Sequence, residues 1–238
     1  MIDFGFSFDW LAAQIHPLRP GFWLLLSFGL SAAGLAAARF LSPKFLSSHG
    51  EEWARIGRWI LTPYLGLLVG GLSPRLLGLS DIDWVAGLGL GVGLIFALWL
   101  LLALIRATLH PGEIPPRGKL PGEQRAWAQP AWAQIVRAGA LEFHWAFLRG
   151  AVWEMLVTLP QPPEAPGYWA ILLASMLALP GILVHQRQPA RRVIEGLLLI
   201  TTAILFFYTR NFYLCWLLHA SAELLIGQGE RQNGLAPA

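Results

Sequence analysis

His219 and Glu223 stand four residues apart in the apolar run FYLCWLLHASAELLIG. On a helix that spacing puts both on one face, where they can share a hydrogen bond, a water or a metal ion. Upstream, LEFHWAFLRGAVWEML carries Glu142, His144, Arg149 and Glu154. Glu142 and Arg149 are seven apart and also share a face, which suits an ion pair inside a bundle, while His144 points nearly opposite Glu142. His185, beside Arg187, closes LALPGILVHQRQ. Pro180 and Gly181 loosen the helix one turn before it and would open backbone carbonyls to a cavity. An interfacial histidine touching water is the plainer reading of His185. Asn211 and Ser221 could assist the last pair, although a helical serine often satisfies itself on the preceding turn.

These side chains lie in a chain that is otherwise built for hydrocarbon. Of the 238 residues, 55% are hydrophobic and 13% charged, with a mean hydropathy of +0.53. Soluble domains carry about 25% charged residues, so the composition places the chain among membrane proteins. Twelve tryptophans suit the headgroup level, where the ring is buried and the N–H stays wet. The net charge of +3 comes from loop arginines and does not indicate nucleic-acid binding. The single cysteine, Cys215, excludes an internal disulfide and a CxxC metal motif. The acidic, aromatic start MIDFGFSFDW does not read as a signal peptide.

A spanning helix needs about 20 mostly apolar residues. The candidates are 20–41, 59–79, 84–107, 135–159, 168–184, 194–208 and 212–227, the second weakened by Pro63, Pro74 and Arg75. The expected fold is therefore all-α, a polytopic membrane bundle of about seven transmembrane helices. Basic residues alternate accordingly. Arg39, Lys44, Arg55 and Arg58 flank the first connection; Arg106, Arg117, Lys119, Arg125 and Arg137 the third; Arg187, Arg191 and Arg192 the fifth; and Arg231 follows the last helix. Arg75, Arg210 and Arg19 fall on the other side. By the preference of positive charge for cytoplasmic loops, the N-terminus is outside and the C-terminus cytoplasmic. The Pro- and Gly-rich loop 110–130 separates an N-terminal part, 1–133, from a C-terminal four-helix part, 134–238. The glycines of GLGLGVG (Gly87, Gly89, Gly91, Gly93) lie in an apolar helix and serve close packing rather than phosphate binding.

The stretch LLLITTAILFFYTRNFYLCWLLHASAELL resembles the closing segment of the CPBP family, intramembrane proteases related to the type II CAAX prenyl endopeptidases and to bacteriocin-immunity proteins. That segment runs through a short aromatic turn into a helix bearing HxxxN or a variant, here His219 and Glu223. The second motif, a phenylalanine four residues before a histidine, has His185 as its candidate, with Gly181 in the phenylalanine position. The first motif has two glutamates followed after three residues by arginine. Anchored on Arg149–Gly150, it finds His144 and Trp145 in place of the glutamates. The resemblance covers roughly residues 135–227. It implies a site of His144, His185, His219 and Glu223, supported by Glu142, Arg149 and Glu154, with water activated by the first two motifs and the oxyanion held by the third. Histidine can act as a base near working pH, but tryptophan cannot replace a carboxylate. Glu51–Glu52 with Arg55 imitates the paired glutamates one residue out of step and reads as a solvated helix start.

The first class of function is thus an intramembrane endopeptidase acting on prenylated or membrane-embedded peptides. His144, His185, His219 and Glu223 would also make an N/N/N/O ligand set for zinc or another divalent metal. The second class, which the altered first motif favours, is a non-catalytic scaffold or accessory subunit of a membrane complex. Intramembrane histidines can further serve as axial ligands to haem or a chlorin. A transporter would want repeats or broken helices meeting at the midplane, and no repeat is present. The expected setting is the lipid bilayer of a bacterial inner or photosynthetic-type membrane, with other membrane subunits or a peptide substrate as partners.

Overall fold

The computed structural model describes residues 8–40, 48–108, 130–186 and 189–234. The segment 109–129 with Arg117, Lys119 and Arg125 lies outside the described residues, as do Lys44, Arg187 and the side chains of Arg39, Arg106, His185 and Arg231. Among the described residues every regular element is a helix: α1 (Phe8–Ala13), α2 (Pro20–Phe40), α3 (Ser48–Val69), α4 (Trp84–Thr108), α5 (Ala131–Val157), α6 (Pro166–His185), α7 (Pro189–Thr209) and α8 (Phe212–Gly234).

Local chemistry sets the helix ends. α2, α6 and α7 open on proline, whose preset φ and missing N–H suit the first helical position. α8 starts behind Asn211, whose Oδ1 accepts a hydrogen bond from the Leu214 N–H at 3.1 Å, an N-cap. The stretch 59–79 departs from the expected crossing. Its helix begins earlier, at Ser48, and stops at Val69. There Gly70 turns to φ 80°, its N–H donating to the Leu67 carbonyl and that of Gly71 to the Gly66 carbonyl. This is a Schellman closure, which a glycine adopts without Cβ strain. Glu51 and Glu52 therefore lie at the start of α3, a helix start as read from the sequence, near the positive end of its dipole. α7 departs as well. It opens at Pro189 rather than at 194, and so draws Arg191 and Arg192 into the helix.

Among the described residues four helices hold stretches long and apolar enough to cross a bilayer: Pro20–Ala37, Gly87–Ile105, Pro166–Val184 and Pro189–Thr209, with Phe212–Gly227 apolar but shorter. Their outward side chains are large and apolar: Val85 is 88% exposed, Phe96 68% and Tyr208 70%. Soluble proteins do not leave such continuous apolar surface to water; here it faces lipid. The chain is an all-helical integral membrane protein. α3 and α5 stand apart because charge interrupts them, with Arg137, Glu142, Arg149 and Glu154 all falling within α5.

The described residues gather into two compact units, one from 1–82 and 140–177, the other from 83–139 and 178–238. In the first unit α2 packs on α3, and the turn after α3 buries Leu72 and Leu77. Gly150 of α5 backs onto that turn: a Cβ there would stand 3.0 Å from the Leu76 carbonyl oxygen. In the second unit α4, α7 and α8 pack on one another. Gly87 and Gly91 of α4 lie against Leu214 of α8, while Gly89 and Gly93 face open space. Among the described residues one pair of the expected packing glycines, Gly87 and Gly91, meets a neighbouring helix. Gly139 seats the Trp216 ring, whose Nε1 donates to the Ile135 carbonyl at 3.1 Å.

Candidate functional site

The polar residues of the first unit sit on α5. Glu142 and Arg149, two turns apart, form an ion pair with Nη1 donating to Oε1 at 2.7 Å, and their side chains are 0% and 1% exposed. A helix rise of about 1.5 Å per residue puts their Cα atoms roughly 10 Å apart, a gap that a long arginine folded along the helix closes. Here the expectation from spacing is met. One helix turn beyond Glu142, Trp145 is buried at 2% exposure. His144 is half-buried, its ring 5.9 Å from that of Phe147, and its Nδ1 is buried with no hydrogen-bond partner among the described residues. Glu154, near the end of α5, accepts from the Ser73 backbone N–H at 3.3 Å. It ties α5 to the turn that follows α3.

The second unit holds a polar cluster drawn from three helices, α5, α7 and α8, and from Gln186 just beyond α6. Glu195 of α7 accepts from Arg137 Nη2 at 3.5 Å and from Gln186 Nε2. Arg192 Nε donates to the Gln186 carbonyl at 2.5 Å, holding the end of α6 to the start of α7. One turn before Glu195, Arg191 stands with Nη1 3.7 Å from Glu223 Oε2 on α8. Arg137, Arg191, Glu195 and Glu223 are all buried, and His219, one turn before Glu223, is 1% exposed. Two buried guanidinium groups, Arg137 and Arg191, thus meet two buried carboxylates, Glu195 and Glu223, and these four charges balance, with Arg192 exposed beside them. Charges taken out of water in this way persist because each is paired with its opposite.

Arg137, expected to flank the third connection, lies in α5, and Arg191, expected within the fifth connection, lies inside α7, which begins at Pro189; both are buried, against Glu195 and Glu223. Arg191 and Glu195 have the same four-residue spacing that singles out His219 and Glu223, and that was the available signal. Gln186 had none. Glu223, expected to work with His219 on a water or metal, has its Oε2 3.7 Å from Arg191 Nη1.

No family model, curated protein or solved structure matches this chain. The fold and the site therefore stand on their own geometry. His144 belongs to the first unit and His219 and Glu223 to the second, while the His185 side chain lies outside the described residues. Among the described residues no three His, Cys, Asp or Glu side chains gather closely enough to hold a metal ion. Chemically, a carboxylate already held by a guanidinium is a poor general base, because the neighbouring cation stabilises its ionised form and weakens its pull on a proton.

Proposed function

We propose that this chain is a CPBP-like bundle that does no proteolysis and serves as a scaffold or accessory subunit of a membrane complex, its N-terminus outside and its C-terminus cytoplasmic. The observation that carries the reading is the closed Glu142–Arg149 pair, buried on both sides at 2.7 Å. The carboxylate nearest to the CPBP first motif is spent on structure, and Trp145 fills a position where the family has a glutamate. Glu223 and Glu195 are engaged in the same manner by Arg191 and Arg137. Polar residues that a hydrolase would keep available here neutralise one another. The broad apolar exterior suits lateral packing against lipid and other helices, and the alternation of basic residues supports the orientation.

The test is cleavage of a prenylated peptide and of a single-span peptide by the purified protein in liposomes, run beside His219→Ala. The expected result is equal, background-level product from both. Product formed by the unmodified protein and lost in His219→Ala would establish a working protease site and overturn the scaffold reading. Native electrophoresis of solubilised membranes supplies the positive arm: the chain is expected in a band well above its 26.3 kDa mass.

A further inference from the structure

The first unit contains a cavity of about 300 Å³ between α1, α2, α5 and α6. Its inner wall is formed by Trp10, Leu24, Val152 and Leu156, each of them buried, and its mouth by Met176 and Leu177, which are 55% and 38% exposed. Among the described residues every side chain that lines it is apolar. Protein interiors rarely leave voids of this size, because lining atoms without neighbours lose dispersion energy, and an apolar cavity does not hold water.

We propose that this cavity holds one acyl chain of a bilayer phospholipid. Continuity with the lipid-facing surface argues for that occupant. Met176 and Leu177 belong at once to the mouth and to the outward face of α6, so bilayer hydrocarbon enters without crossing a polar rim. Size excludes a helix, whose diameter with side chains is about 10–12 Å; the volume sits at the lower end of the roughly 300–1,000 Å³ of small-molecule sites. Depth fits as well. The inner wall lies within about one turn of the start of α2 and the end of α5, whereas Met176 is ten residues into α6, about 15 Å along it or half a bilayer core. At the interface end, Trp10 Nε1 donates to the Thr158 carbonyl at 3.1 Å. That bond keeps the indole's polar edge satisfied and its ring over the cavity. Methionines at the mouth and in the wall adapt to a flexible chain.

The experiment uses the full chain in phosphatidylcholine vesicles containing a phosphatidylcholine with a photoactivatable diazirine midway along one acyl chain, with labelled residues located by mass spectrometry. Leu24, Val152 and Leu156 are shielded from the bulk bilayer, so a lipid chain reaches them by entering the cavity. Their labelling is expected to match that of outward residues such as Leu179 and Leu183 of α6. Label confined to outward residues overturns the proposal. Val152→Phe and Leu24→Phe fill the cavity from α5 and from α2 and are each expected to lower labelling of the remaining wall residues by roughly tenfold, with outward labelling unchanged. Wall labelling that persists in both variants also overturns it. The pattern in the unmodified protein decides the matter if either variant does not fold.

Discussion

Arg149 alone in hydrocarbon would cost about 2.5–3.5 kcal/mol on insertion scales, and Glu142 a comparable amount; together they close one buried pair at 2.7 Å. Removing a single member leaves the other charge buried without its counter-ion, which costs about 3–5 kcal/mol. Glu142→Gln is therefore expected to lower the melting temperature of the purified protein sharply. The double change Glu142→Leu with Arg149→Met is expected to restore most of the loss, as a double-mutant cycle in thermal denaturation would show. A double variant as unstable as the single one would mean that the pair is not the unit of stability. Arg191→Met is expected to act in the same direction through Glu223, while Asn211→Ala removes the α8 cap at a cost of about 0.5–2 kcal/mol. The Glu142–Arg149 pair was legible in the sequence because both members lie on one helix, where spacing alone determines the face. Arg137–Glu195 and Arg191–Glu223 were not, because spacing along the chain says nothing about which helices become neighbours.

The helices themselves were more legible than their partners. The boundaries of α2, α4 and α8 follow from Pro20, from the run beginning at Trp84 and from the polar Arg210–Asn211 turn. α3 and α7 were misplaced for opposite reasons. In α3 an apolar run continues past its glycine stop, and in α7 the helix starts in charged residues that resemble a loop. The glycines carry a sharper expectation. At Gly150 a methyl group would press on the Leu76 carbonyl, and at Gly139 it would approach Trp216 Nε1 to 2.7 Å. Gly150→Ala is expected to destabilise by about 1–3 kcal/mol as an overpacked contact, and Gly139→Ala to displace the indole from the Ile135 carbonyl. By contrast Gly89→Ala, whose new methyl group meets open space, is expected to be neutral or to gain up to about 1 kcal/mol from helix propensity. Thermal melts of the three variants in one detergent check the order, and equal losses at Gly89 and Gly150 would refute it.

At the scale of the molecule, the orientation proposed from basic residues can be tested with one background reagent, because Cys215 is 0% exposed. A cysteine at Ser80 is expected to react with a membrane-impermeant maleimide on intact cells, and one at Gly118 only after lysis. The reverse pattern would invert the topology. Assembly of the bundle also bears on the pair within α5. Most intramembrane ion pairs join two helices and can form only once both are present. Glu142 and Arg149 are carried by one segment, so the contact needs no other helix as a partner. A segment of this kind brings its own counter-ion, so neutralising its two buried charges does not wait for a neighbouring helix. Separating the two residues onto different segments would preserve the charges and forfeit that independence during biogenesis.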